Sequence, residues 1–177
     1  MKHTLVAVME DRPGVLTRVV SLFRRRNFNI ESLAVGHTET PGISRMTLVV
    51  DGSDSLVEQV TKQLYKLINI RKVSDVSEDP TVDRELALIR VSAKPSTRTE
   101  IVQIANIFRA NIVDVSPTSV MVEATGPENK VESLISMLRG YGIKEMVRTG
   151  RISMVRGAIP PKETSNGNGA SPNGHQA

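Results

Sequence analysis

Cysteine is missing altogether from this 177-residue chain. Disulfides, thiolate nucleophiles and cysteine-based metal sites are therefore excluded. Tryptophan is missing too, and aromatic residues make up 3%, so a core must be assembled from Val, Ile, Leu and Met. No apolar run approaches the ~18 residues of a membrane helix. The opening segment carries Lys2, Glu10, Asp11 and Arg12 and offers no signal-peptide core. We expect a cytoplasmic chain with no membrane partner. Histidine is scarce: His175 lies near the C-terminus, and His3 and His37 have no cysteine or nearby histidine beside them, so no metal site is expected. There is no Walker-type loop, no GxGxxG and no Ser, His and Asp grouping suited to nucleophilic work. A reading as an enzyme in its own right finds no residues to stand on.

What charge there is does not form a patch. The formal net charge is +4 and the pI about 9.6. Residues 1–78 hold 11 Lys+Arg against 9 Asp+Glu, and residues 79–158 repeat those counts. Arg24-Arg25-Arg26 is the only basic cluster and reads as a solvated helix end, where cations are favoured. Sequence-specific RNA recognition by a sheet needs stacking aromatics. Ala34, Val35, Met46, Leu48 and Val120 occupy the strand positions instead, so no nucleic-acid partner is expected.

What is present is a twice-repeated alternation of strand and helix patterns. Leu5-Val6-Ala7-Val8-Met9 is apolar on both alternating faces, the mark of a strand covered on both sides. Val15, Leu16, Val19, Val20 and Phe23 recur at helical spacing behind Pro13-Gly14. Asn29 to Val35 and Ser44 to Asp51 read as strands, Val57, Val60, Leu64 and Leu67 as a helix, and Ile70 to Val76 as a closing strand. That order is βαββαβ, the ferredoxin-like split unit. Ser77-Glu78-Asp79-Pro80 reads as a linker. Leu86 to Val91, a helix through Ile101, Ile104, Ala105 and Phe108, strands at 112–115 and 120–124, a helix through Val131, Leu134, Ile135 and Leu138, and strands at 143–147 and 152–155 repeat the pattern. Leu22-Phe23-Arg24 and Ile107-Phe108-Arg109 look like a shared helix ending. The expected fold is α+β: two tandem ferredoxin-like domains, 1–78 and 79–158. A flexible tail at 159–177 follows, rich in Pro, Gly, Asn and Ser.

The segment Glu10-Asp11-Arg12-Pro13-Gly14-Val15-Leu16 joins the first strand to the first helix. Asn27-Phe28-Asn29-Ile30-Glu31-Ser32-Leu33 opens the next strand. Unpaired N–H groups at a helix start favour an anion such as an amino-acid carboxylate. Gly14 allows close approach to the backbone, Asp11 can accept from an α-ammonium, and Asn29 offers donor and acceptor. Val15, Leu16 and Ile30 would supply an apolar wall. From spacing alone a second reading stands beside this one: Asp11 and Pro13-Gly14 simply cap and start the helix. In the second half the loop becomes Lys94-Pro95-Ser96-Thr97, without this chemistry.

Several stretches together carry a resemblance. They are the two segments above, Ser44-Arg45-Met46-Thr47, Gln63-Leu64-Tyr65-Lys66-Leu67, Arg84-Glu85-Leu86, Ile107-Phe108-Arg109-Ala110-Asn111-Ile112-Val113-Asp114-Val115-Ser116 and Arg148-Thr149-Gly150-Arg151. Over residues 2–157 the chain resembles the small regulatory subunits of acetolactate (acetohydroxyacid) synthase. The resemblance implies an N-terminal ACT domain, a second ferredoxin-like domain, and a homodimer through edge-to-edge ACT pairing. Valine or another branched-chain amino acid would bind at that interface through Asp11, Gly14, Val15, Leu16, Asn29 and Ile30. It implies a large catalytic partner that carries thiamine diphosphate, Mg²⁺ and FAD, and no cofactor in this chain. Some family members have Asn in place of Asp11. The alternative expectation is a free-standing ACT sensor that controls another enzyme or a transcription factor.

Overall fold

The computed structural model describes residues 1–157. The tail assigned to 159–177 lies outside the described residues. In the first half β1 (Lys2–Glu10), α1 (Val15–Arg25), β2 (Ile30–His37), β3 (Ile43–Asp51), α2 (Asp54–Tyr65) and β4 (Ile70–Asp75) follow one another. They form an antiparallel sheet in the order β2-β3-β1-β4. In the second half β5 (Thr81–Ser92), α3 (Arg98–Ile107), β6 (Asn111–Val115), β7 (Ser119–Gly126), α4 (Glu128–Arg139) and β8 (Ile143–Arg148) repeat this as β6-β7-β5-β8, and β9 (Ile152–Val155) is added. The split βαββαβ pattern therefore occurs twice, as the residue periodicity led us to expect.

One face of each sheet carries the helices. Leu5, Ala7 and Met9 of β1 meet Met46, Leu48 and Val50 of β3, with Val15, Val19 and Phe23 of α1 and Val57, Val60 and Leu64 of α2 packed above them. Phe23 is 1% exposed and meets Phe28 edge-on, ring centroids 6.0 Å apart. Ala87, Ile89, Val91, Val120, Val122 and Ala124 build the second core with α3 and α4.

The other face of the first sheet is also covered. Thr4, Val6, Thr47 and Val49 are all buried, and the β5–β9 pair comes up against β3, where Val82, Arg84 and residues 152–155 line one cavity with Arg45 and Thr47. The first residues of β5 pair with β9, from Thr81↔Val155 to Arg84↔Ile152, and the rest of the strand runs on into the second sheet. The Arg45 guanidinium donates to the Ser153 carbonyl at 2.8 Å. One strand thus serves both sheets. It begins at Thr81, earlier than the expected Leu86. The segment read as a linker is a tied turn: Thr4 N–H donates to Ser77 Oγ (2.9 Å), Val76 N–H to Thr4 O (2.9 Å), and Arg156 N–H to Pro80 O (2.7 Å).

The helix endings also need a correction. Asn27 and Arg109 hold the left-handed backbone, φ 57° and 52°, that ends the first helix of each half. Phe23 lies four residues before its left-handed residue and Phe108 one before, so the two Phe-Arg pairs are out of structural register. Asn29-Ile30 and Asn111-Ile112, each two residues beyond, are the equivalent positions.

Candidate functional site

The β1–α1 loop is built to hold its shape. Asp11 N–H donates to Gly42 O (2.8 Å) and Glu10 N–H to Asn69 O (2.9 Å). The Asn69 side chain donates to Glu10 (3.1 Å) and accepts from Arg18 (2.8 Å). That Asn69 hydrogen bond, with the charges of Arg12 and Arg71 behind it, outweighs desolvation and holds the Glu10 carboxyl below its ordinary range. Gly14 has φ +84° and is the residue before α1, with no side-chain cap. A Cβ placed on it would meet nothing within 4 Å. Glycine is needed for the left-handed turn, and the space beside it is open.

The start of α1 is chemically unfinished. Val15 N–H reaches Arg12 O (3.3 Å) and Arg18 N–H reaches Gly14 O (3.0 Å). Among the described residues no acceptor meets the Leu16 and Thr17 amides. α2, α3 and α4 carry Asp54, Glu100 and Glu128 in their first turns, and α1 carries no acidic residue there. Unpaired amides and an uncompensated positive helix end favour an anion. The second half shows the contrast. There Thr97 Oγ1 accepts the Lys94 amide (3.1 Å), and Thr97 and Arg98 amides return to Lys94 O (3.0 Å each), so that loop satisfies itself.

The six residues named from the sequence fall into two groups on one chain. Asp11, Gly14 and Leu16 are exposed around the loop, and Asp11 lies 3.3 Å from His37 Nδ1 at the far end of β2. Val15 is 3% exposed and packs in the core, so its side chain is spent there and only its backbone faces the loop. Asn29 is exposed and Ile30 half-buried, packed against the first core. Both line a cleft of about 690 Å³ between the two halves. The register sets Ile30 opposite Val50 and His37 opposite Ser44. At about 3.3 Å per residue, seven residues of β2 hold the two groups roughly 23 Å apart.

Residues beyond those six shape the site. Among the described residues β2 is an edge strand with no partner on its outer side. On α1, Leu16 and Val20 are 40% and 41% exposed. They project from the side of the helix away from the α2-facing groove lined by Arg18, Ser21, Leu22 and Arg25, which puts them over the β2 edge. Helical spacing groups Val20 with Val15, Leu16, Val19 and Phe23 and does not tell the buried side of the stripe from the exposed one. An i, i+4 pair left beside an open edge was the signal available. His37, on the same edge, was considered only as a metal ligand. Among the described residues no cluster of three His, Cys, Asp or Glu could hold a metal, and no helix is long and apolar enough to cross a membrane.

Residues 5–72 match a family described as an AHAS small subunit-like ACT domain, and residues 84–157 one described as the small subunit of acetolactate synthase. A probable acetolactate synthase small subunit of Archaeoglobus fulgidus is 59% identical over 157 residues, which is 89% of this chain and 98% of that one. The chain belongs to the acetolactate synthase small-subunit family. A Bacillus subtilis small subunit is 52% identical over 159 residues, 89% of this chain and 92% of its own. The crystal structure of the Thermotoga maritima small subunit superposes with a TM-score of 0.83 at 40% identity, covering 90% of this chain and 99% of that one. The loop described above is thus the β1–α1 connection of an ACT domain.

Proposed function

We propose that this chain is the non-catalytic regulatory subunit of acetolactate synthase in branched-chain amino acid biosynthesis. It docks on a large catalytic subunit and raises its activity, and valine bound between two ACT domains feeds back on it. Thiamine diphosphate, Mg²⁺ and FAD belong to the large subunit in this reading. The names of the relatives support the assembly.

The observation that carries the effector site is the splitting of its six residues between the two ends of a strand whose outer edge meets no partner among the described residues. A two-fold, antiparallel pairing of β2 with the β2 of a second copy, centred on Ala34, sets Ser32 opposite Gly36 and, across the bulge at Glu31, Ile30 of one copy opposite His37 of the other. His37 already touches Asp11. Asn29 and Ile30 from one chain then meet Asp11, Gly14 and the Leu16 amide from its partner, and Leu16 and Val20 gain an apolar neighbour. The free amides of α1 receive the α-carboxylate, and Asp11 receives the α-ammonium. Two copies make two sites.

Feedback requires that the effector bind one state of the complex better than another. A factor of about 10–100 corresponds to about 1.4–2.7 kcal/mol. The test is reconstitution with the large subunit. Added chain should raise acetolactate formation severalfold, and valine should lower it toward the large subunit's own rate. A large subunit indifferent to this chain would overturn the reading and leave a free-standing ACT sensor.

A further inference from the structure

The geometry points to the turn Thr149-Gly150-Arg151 as the element that couples an occupied effector site to the second half of the chain. This rests on the reading above and concerns how that site is heard. The turn grips β2 just beyond Asn29 and Ile30. Arg151 N–H donates to Ser32 Oγ at 2.9 Å. Gly150 has φ +82°, and a Cβ there would lie 2.7 Å from Ser32 Oγ and 3.3 Å from Leu33 O. Only glycine fits between the two halves at this point, both for its backbone and for its missing side chain.

A ring of polar contacts closes around the grip. The Arg151 guanidinium bonds Thr4 Oγ1 of β1 (3.1 Å) and Glu128 at the start of α4. Glu128 pairs with Lys2 (3.4 Å), and Lys2 with Glu31 (2.8 Å), the neighbour of Ser32. The ring therefore runs from β2 through β1 and α4 back to β2. Behind it Thr149 exchanges two hydrogen bonds with Leu86 of β5 (3.0 and 3.1 Å), and the buried Glu85 pairs with Arg148 at 2.5 Å. The turn is thus anchored in the second sheet and inserted in the first.

It meets β2 where β2 is least regular. The pairing of β2 with β3 shifts register between Ile30 and Ser32, so Glu31 sits at a bulge. Bulges leave a residue unpaired and re-aim its neighbours. A ligand that draws on Asn29 and Ile30 acts on the first residues of this bulge, and Ser32 on its last. Displacement of the bulge pushes on Gly150, and the second half moves with it. Ser32 and Gly150 are positioning residues: they touch no ligand, and transmit its presence.

The test uses the full chain reconstituted with the large subunit, with Ser32→Ala and Gly150→Ala as variants. Valine affinity of the chain alone is expected to change by less than about threefold, while inhibition at saturating valine falls at least about twofold, because coupling and affinity are separate quantities. In the wild type, hydrogen exchange at residues 149–151 is expected to change when valine is added, a response a purely structural contact would not give. If both variants bind valine and are inhibited as fully as wild type, or exchange in the turn ignores valine, the turn is not the coupler. If the wild-type chain itself neither binds nor responds to valine, the effector reading fails and this inference falls with it.

Discussion

Gly14→Asp isolates the chemistry of the proposed effector loop, because the structure separates its folding cost from its binding cost. No atom lies within 4 Å of the added Cβ, so the fold loses only backbone strain at φ +84°. For an ordinary L-residue that is about 1–2 kcal/mol, and less for Asp, which tolerates the left-handed region. A loss of 1 kcal/mol lowers Tm by about 2–4 °C in a chain of this size. The effect on binding is larger. A carboxylate introduced about 4 Å from the ligand's carboxylate, at an effective dielectric near 20, costs about 4 kcal/mol, roughly a thousandfold in Kd. Gly14→Ala is the control, with the strain but no charge. Isothermal titration of valine into wild type, Gly14→Ala and Gly14→Asp, beside thermal melts, separates the two effects. We expect a small Tm loss in both variants, binding largely kept in Ala and abolished in Asp. Binding by Asp within about threefold of wild type, about 0.6 kcal/mol, would refute the placement of the carboxylate at the α1 start. So would an equal loss in Ala.

Leu16→Glu combined with Val20→Lys alters an exposed strip and is expected to leave the melt near wild type while shifting the chain from dimer to monomer in sedimentation. An unchanged dimer would rule out the β2 edge as the pairing surface. Phe23→Ala empties a fully buried site and is expected to cost about 3–5 kcal/mol in urea unfolding. Burial pushes the Glu128 carboxyl up, but the hydrogen bonds and charges of Arg151 and then Lys2 together outweigh it and hold it below its ordinary range. Its contribution to stability is complete above about pH 4.3 and is lost as pH falls through the depressed value. Arg151→Gln should flatten that acid limb of the urea midpoint against pH. Lys2 is held above its ordinary value by its hydrogen bond to Glu31, then by the charge of Glu128. Its contribution is present below about pH 10.4 and disappears as pH rises through the raised value, so Lys2→Met should soften the alkaline limb.

Local periodicity carried most of the fold. Val15, Val19 and Phe23 were legible as a helix face, and the apolar residues on both sides of β1 did announce a strand covered twice. What covers it was not legible. The outer face of the first sheet meets β9 at Arg45 and Ser153; β9 lies near the other end of the described chain, and no local pattern reports such a partner. For the same reason Ser77-Pro80 read as a linker: its polar composition is that of a turn, and the hydrogen bonds that tie it down come from Thr4 and Arg156. The candidate site was half legible. Asp11, Gly14 and Leu16 follow from a strand–loop–helix pattern. The distance between them and Asn29 follows from strand direction, which motif spacing ignores. The Ser32–Arg151 bond spans 119 residues and left no trace in either motif beyond the residues themselves.

The sharing of β5 between two sheets has a consequence for synthesis. The first half can form its helices, sheet and Phe23 core as soon as β4 has emerged from the ribosome. Its Val6, Thr47 and Val49 face then stands bare until β9 arrives, about 80 residues and about 4–16 s later at ordinary translation rates. For that interval the nascent chain presents a bare sheet face of mixed Val and Thr side chains beside an open β2 edge, a combination that invites mispairing between neighbouring chains. A stop codon between β4 and β9 would leave a folded half with that face permanently uncovered. Low temperature or slow codons in the second half should therefore show up as insoluble product before they show up as lost regulation.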